Sequence, residues 1–207
     1  MLYTLNGYDT HAHAYLICRF GHCLLIDPNF DYDEIIDKLG DYILDGILLT
    51  HAHHDHVALI HQFHVPIYIH SDDAALLFED RYNGFSNDFK RPYQRKQLDI
   101  KIIEDGMNIP LADHEVTVIH TPGHTKGSVC FLYQKYLFTG DTLFKNSVGR
   151  HDLYSGNLFD LKRSILKLIG TLDDNLTVLP GHDDKTTIRN ERKSNPFYLK
   201  WKKQGKI

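Results

Sequence analysis

Gly46-Ile47-Leu48-Leu49-Thr50-His51-Ala52-His53-His54-Asp55-His56 runs from a short apolar stretch straight into a histidine-rich loop. Four apolar or small residues in a row, bounded by turn signals, read as a buried strand. In a loop that leaves a strand end, residues two apart can converge on one ion. The neighbouring Asp55 and His56 can then face a second ion beside the first. Neutral imidazole and carboxylate are the ligands expected of zinc, iron or manganese. A solvated polar turn would need no such density, and four potential ligands within six residues weigh against it.

Working outward, three later segments repeat the same arrangement, an apolar run emptying into a glycine-containing turn. They are Val118-Ile119-His120-Thr121-Pro122-Gly123-His124, Tyr136-Leu137-Phe138-Thr139-Gly140-Asp141 and Val178-Leu179-Pro180-Gly181-His182. Taken singly, each is an ordinary turn. Together they predict that several strand ends deliver a ligand to one edge of the fold. The resulting set is His51, His53, Asp55, His56, His124, Asp141 and His182.

The rest of the chain alternates strand and helix signals. Strands are expected at Ala14–Arg19 and Cys23–Ile26, joined by a tight turn at Phe20-Gly21-His22, with Asp27-Pro28 closing the second. Further strands are read at Pro66–His70, Ile100–Ile103, Glu115–His120, Val129–Tyr133, Tyr136–Phe138 and Thr177–Leu179. Helical spacing covers Tyr32–Leu39, Val57–Phe63 and Leu158–Ile169, and a polar helical end runs to Lys206. Ser71-Asp72-Asp73 reads as an N-cap for a helix through Phe78. Arg81–Gln97 lacks periodicity and is read as a long surface loop. There is no repeat, linker or low-complexity tract. An α/β protein with mixed sheets covered by helices follows.

Length and composition agree. The chain's 207 residues suit one domain, and 42% hydrophobic with 24% charged residues is an ordinary globular balance. A net charge of −4 counts against a nucleic-acid partner. No signal peptide or run of 18 apolar residues is visible, so no membrane partner is expected and the localisation reads as cytoplasmic. The three cysteines Cys18, Cys23 and Cys130 are read as buried small side chains in a reducing compartment.

In order along the chain, His-x-His-x-Asp-His, Thr-Pro-Gly-His, Thr-Gly-Asp and Pro-Gly-His resemble the motifs of the metallo-β-lactamase superfamily, over about Ala14 to Phe197. The resemblance implies a four-layer αβ/βα sandwich of two mixed β-sheets flanked by helices, with metals at one edge. By position, His51, His53 and His124 would hold a first metal, Asp55, His56 and His182 a second, and Asp141 would bridge them. Zinc is the expected ion, with iron or manganese as alternatives. Asp141 stands where the zinc β-lactamases place a cysteine, which points away from antibiotic hydrolysis as the primary role. His53 stands where diiron flavoproteins of this fold carry glutamate. The stretches Leu143–Asp152 and Pro180–Phe197 are similar to short bacterial glyoxalase II-like hydrolases. The C-terminal helical domain by which full-length glyoxalase II enzymes hold glutathione is not expected, and residues 1–207 are read as a single domain.

That likeness implies hydrolysis of a small acyl thioester such as S-lactoylglutathione, or of an ester. Two metals roughly 3.5–4 Å apart can share a water and lower its pKa toward neutrality. Asp55 and Asp141 are then the catalytic carboxylates, Asp55 orienting the water. Lys145 and Arg150 are the candidate cations for substrate carboxylates, with an Arg150–Asp152 surface pair as the plain alternative. Lys90, Arg91, Arg95 and Lys96, interleaved with Phe89 and Tyr93, read as a solvated loop rather than a lid or nucleic-acid patch. The other ten of the 15 histidines are read as structural or surface groups, His11 and His13 lying far from the motifs and His54 and His151 nearest the ligands. The rival reading within the superfamily is a persulfide dioxygenase with one iron on His51, His124 and Asp141. An RNA-processing nuclease is disfavoured by the acidic charge. A structural zinc protein is disfavoured because closed sites use four ligands and no more.

Overall fold

The computed structural model describes residues 1–7, 11–28, 31–86 and 90–205. Strands β1 (Leu2–Leu5), β2 (Ala14–Arg19), β3 (His22–Ile26), β4 (Ile43–Leu48), β5 (Ile67–His70) and β6 (Ile100–Ile103) form one sheet in that spatial order. The first three pair antiparallel and the last three follow β3 in parallel. The second sheet uses β7 (Asn108–Leu111), β8 (His114–His120), β9 (Val129–Tyr133) and β10 (Tyr136–Gly140), which form an antiparallel meander. A short hairpin, β11 (Leu143–Phe144) with β12 (Ser147–Val148), stands apart. Strand β13 (Thr177–Pro180) then joins β10 in parallel, and β14 (Thr186–Thr187) closes the edge.

Strand side chains alternate between faces, and both faces of each sheet are covered. On β2, Ala14, Leu16 and Cys18 enter the core on one side, while Tyr15 and Ile17 enter the core on the other. Strand β9 does the same, with Phe131 between the sheets and Cys130 toward the helices. Near-continuous apolar strands are the expected consequence. Three buried clusters separate four layers: one over the outer face of the first sheet, one between the sheets, one over the outer face of the second. The αβ/βα expectation holds.

Helix α1 (Tyr32–Leu39) begins at Asp31, which accepts a hydrogen bond from Glu34 N, and buries Ile35. After it come α2 (His54–Val57), α3 (Ser71–Ala74) and α4 (Asp80–Asn83), single turns each. Helix α5 (Leu158–Thr171) buries Leu161, Ile165, Leu168 and Ile169, the stripe a period of 3.6 requires. Asn157 caps it by accepting from Phe159 N and Asp160 N. Helices α6 (Ile188–Ser194) and α7 (Pro196–Lys203) complete that layer. Lys206, the end expected for the last helix, lies outside the described residues. None of the described helices is long and apolar enough to cross a membrane.

Several expectations need correction. Val57–Phe63 is not one helix: the metal-motif loop itself forms α2, and only Ile60–Gln62 follows as a 3-10 turn. The cap expected within Ser71–Asp73 is supplied by His70, whose ring accepts from Asp72 N, because Asp73 is buried elsewhere. The 81–97 stretch is not simply a surface loop. Phe85 and Tyr93 are buried in the first core, and Arg91 donates to Asp80 and to the Tyr93 carbonyl. Phe89 lies outside the described residues. Cys18 and Cys23 are not separate thiols. The β2–β3 register sets them directly opposite, with Cα atoms 4.1 Å apart, and their sulfurs are bonded. Cys130 remains a buried free thiol.

Candidate metal centre

Strand ends place every ligand candidate at one edge. The loop after β4 supplies His51, His53, Asp55 and His56, and the connection from β8 to β9 supplies His124. Parallel β10 and β13 end side by side, with Gly181 N donating to the Gly140 carbonyl at 2.8 Å. That contact sets Asp141 next to His182. Val129 N donates to the Thr50 carbonyl at 2.9 Å, so the two sheets are tied together at the same edge.

Seven side chains meet there. Suitable donor atoms of His51, His53 and His124 fall within 4.8 Å of one another, as do those of His51, His56 and Asp141, and those of Asp55, His56 and His182. Asp141 faces both sides. Its Oδ1 lies 3.3 Å from His56 Nε2 and 3.6 Å from His182 Nε2, while its Oδ2 lies 3.6 Å from His124 Nε2. Asp55 Oδ2 accepts from His182 Nε2 at 3.1 Å. His54 stands outside these groups, its ring edge-on to Phe85.

The supporting residues decide which ring nitrogens are bare. His56 Nδ1–H donates to Asp27 Oδ2 at 2.9 Å, leaving Nε2 toward the carboxylates. Thr50 Oγ1 donates to the same oxygen at 2.6 Å, so at 3.1 Å it can only accept from His51 Nδ1–H. His124 Nδ1–H donates to the Arg150 carbonyl at 2.8 Å. Outer hydrogen bonds of this kind orient metal-binding imidazoles and raise their basicity. His53 Nδ1 and the bare His124 Nε2 then face each other at 2.9 Å, a gap that takes one shared proton or a cation accepting both lone pairs.

Asp27 and Asp73 went unrecognised in the sequence. Asp27 ends an apolar strand before Pro28, a signal that it serves the strand edge, although only its partners reveal the role. Asp73 is fully buried and accepts from Ala52 N, Thr125 Oγ1 and Gly127 N, which lashes the His51–His56 loop to the His124 turn. Burial is the largest influence on its carboxyl and pushes the pKa up. Glu191, also fully buried, accepts from Asn146 N and Thr186 Oγ1 and so holds the loop after Asp141.

Four of the six buried side-chain polar atoms without a hydrogen-bond partner among the described residues gather here: His51 Nε2, His53 Nε2, His56 Nε2 and Asp141 Oδ1. Leaving a buried polar atom unsatisfied costs about 1–3 kcal/mol each. His51, His56 and Asp141 form one convergent donor group, and His53 turns Nδ1 toward His124; a divalent cation satisfies such donors beside carboxylates, so the residues fit a metal. Burial, and then the neighbouring rings, push His51 well below its ordinary pKa, and burial likewise brings His53 down to about 3. The other half is ionic. Burial opposes charge on Asp55, Asp141, His56 and His182, yet mutual attraction outweighs it, lowering both carboxyls and raising both imidazoles.

Close approach of backbone makes this packing possible. A Cβ on Gly181 would lie 2.5 Å from Asp141 Oδ1 and 2.7 Å from His56 Cε1. Gly140, at φ +46°, would drive one into the Thr50 side chain.

The two expected substrate cations are exposed and already paired. Lys145 Nζ donates to Asp184 Oδ2 at 2.8 Å, and Arg150 forks onto Asp152 at 2.9 and 3.0 Å. It is the Arg150 backbone, rather than His151, that supports a ligand. A cleft of about 840 Å³ flanks the cluster, lined by His13, Tyr15, Lys145, Asp183 and Lys185 among others. His13 is therefore not remote. Its backbone N donates to the Gly181 carbonyl at 2.6 Å and its Nε2–H to the Asp183 carbonyl at 2.9 Å. Burial is the largest influence lowering the His54 pKa, and His11 also acts on that ring, so it too lies near the motif.

Known proteins share this design. A protein of Aquifex aeolicus (strain VF5) is 38% identical over 185 residues, 86% of this chain and 87% of that one. One from Streptococcus pyogenes serotype M6, named a probable metallo-hydrolase, is 33% identical over 95% of this chain and 90% of its own length. The BLEG-1 B3 metallo-β-lactamase crystal structure superposes with a TM-score of 0.86 at 31% identity, covering 96% of this chain and 99% of that one. TTHA1623 in a di-iron-bound form gives 0.78 at 30% identity, covering 94% and 99%. The family model of the metallo-β-lactamase superfamily matches residues 7–182, a span that begins before the first ligand-bearing loop and ends on His182. Sequence match, two-sheet fold and clustered edge residues agree, and the chain belongs to the metallo-β-lactamase superfamily.

Proposed function

We propose that this protein is a binuclear metallohydrolase that cleaves a small acyl thioester or ester, of the glyoxalase II-like kind. The observation that carries the reading is the set of orphaned buried atoms around Asp141, whose two oxygens face different ligand groups. Two divalent metals, when bound, would supply a nucleophilic water near neutral pH and an electrophile for the substrate carbonyl. His51, His53 and His124 would hold one, Asp55, His56 and His182 the other, with Asp141 between them. Zinc suits these nitrogen and oxygen donors, and the di-iron form of a 30% identical structure supports iron as the alternative.

The chain's own residues do the positioning. Asp27 fixes the tautomers of His56 and, through Thr50, of His51. Asp55 holds its carboxylate within 3.1 Å of His182 Nε2, where it can orient a water proton. The cleft offers a substrate room beside the loop that carries His182, and its lysines offer charge to an anionic leaving group. Lys145 and Arg150 would have to exchange their present aspartate partners for substrate carboxylates.

Metal analysis of freshly purified protein, followed by thiol release from S-lactoylglutathione on the same sample, tests this reading. About two zinc per chain with turnover is the expected result. One iron, oxygen uptake with glutathione persulfide and no thioester cleavage would replace it with the dioxygenase. A second reading, β-lactam hydrolysis, draws on the 31% identity to BLEG-1. A chromogenic cephalosporin assayed beside the thioester separates the two by their kcat/KM values.

A further inference from the structure

A second histidine cluster lies outside the centre just described. Strand β5 of the first sheet ends in His70, and β8 of the second sheet ends in His120. Their rings stack with centroids 4.0 Å apart and planes inclined by 10°. Carboxylates flank the pair. His70 Nε2 lies 3.2 Å from Glu104 Oε2, and His70 Nδ1 lies 3.8 Å from Asp72 Oδ2. One donor atom each from His70, Asp72 and His120 falls within 4.8 Å of the others.

The ring of His120 is prepared for a ligand. Its Nε2–H donates to the Lys126 carbonyl at 3.0 Å, which leaves Nδ1 bare. That outer hydrogen bond is the kind which orients metal-binding imidazoles. The His120 backbone N donates to Asp105 Oδ1 at 2.7 Å and fixes the strand end. Burial, and then His120 beside it, push the His70 ring below its ordinary pKa, and its Nδ1 lone pair now caps Asp72 N at 3.2 Å, a bond that an ion held beside Asp72 would replace. Lys126 takes only one oxygen of Asp72, at 2.6 Å, and the other oxygen faces His70. Asp72 is about one-third exposed, which opens the cluster to ions from solvent.

We infer that His70, Asp72 and His120, assisted by Glu104, form a peripheral site for a nitrogen-preferring divalent cation that clips the two sheets together. Two imidazoles with one or two carboxylates suit zinc, cobalt or copper better than calcium or magnesium. Occupancy would turn the His70 ring out of its stack on His120, whose ring the Lys126 carbonyl holds, because the in-plane lone pairs of parallel rings do not meet. A cation held by both sheets binds the folded state alone and raises its stability by mass action. None of this rests on the hydrolase reading, since none of these residues belongs to the Asp141 cluster.

Equilibrium dialysis of the full chain against Zn²⁺, with metal content and melting temperature read together, tests the site. His120→Gln and His70→Gln keep polar side chains at both positions, and thermal unfolding without added zinc verifies that each variant folds. Wild type is expected to hold one more zinc than either variant, while turnover and the centre's own metal are unchanged. Added zinc should raise the wild-type melting temperature further than that of either variant. Cu²⁺ in the same pocket should give an electron paramagnetic resonance spectrum with two nitrogen couplings, lost in both variants. Equal zinc content in wild type and variants, or a copper signal untouched by them, would overturn the inference.

Discussion

His51 and His56 are equally interior yet belong to electrically different halves of the ligand cluster. His51 and His53, with His124 beside them, form a half whose first two rings burial keeps neutral, His53 down to about 3. Across Asp141, Asp55 holds His56 and His182 in an ionic group, its imidazoles raised above their ordinary pKa despite burial. The difference comes from carboxylates rather than depth. Asp55 and Asp141 favour protons on His56 and His182, and those protons take the place a cation would fill.

The strongest way to break the contrast is to remove the group that joins the halves. Asp141→Ala should abolish metal pairing and bring hydrolysis to background, read by metal content and turnover. If the variant keeps both metals, Asp141 does not link the two halves.

Acid should then reach the halves in order. Because His56 and His182 are raised, protons would compete with the second ion of the proposed binuclear centre, and binding that ion would release them. As pH falls, this ion should leave first. The first should persist further into acid, because His53 stays neutral until about pH 3. Metal retained across a pH series should fall in two steps, and a single step would erase the distinction.

Asp27→Asn touches both halves through one carboxylate and should cost about 10–100-fold in metal affinity or activity. Loss confined to one ion would show that the Thr50 relay to His51 is idle. Gly181→Ala sharpens the comparison from the backbone side. Its Cβ meets Asp141 Oδ1 and His56 Cε1, so overpacking of about 1–3 kcal/mol should fall on the ionic half. Weakened second-ion binding with the first intact is the outcome to measure by titration. The smallest effect is expected outside the cluster. Arg150→Ala or Lys145→Ala breaks an exposed pair and should change KM by no more than about fivefold, leaving kcat unchanged.

Much of this architecture could be read directly along the chain. β2, β6, β9, α1 and the start of α5 fall where apolar runs and helical spacing put them, since an apolar run or a helical period is legible without a distant partner. The misses share one cause. β1, β7 and β14 are short edge strands whose assignment depends on a neighbour, and Val57–Phe63 breaks because the ligand loop takes its first turn. Phe85 and Tyr93 look like loop aromatics until a core receives them. Cys18 and Cys23 become partners only through the register of a hairpin.

For the centre, the chain alone determined which residue types recur at strand ends, because ligand spacing and glycine turns are local chemistry. The sequence motifs already contain all seven candidates. Only the tertiary structure decided what surrounds them. Asp27, Thr50 and the Arg150 carbonyl set the tautomers, Asp73 binds two loops into one, and His13 sits against the His182 turn rather than far from the motifs. These depend on contacts between segments distant in sequence, and so do the pKa shifts, because burial and charge act through space and not along the chain.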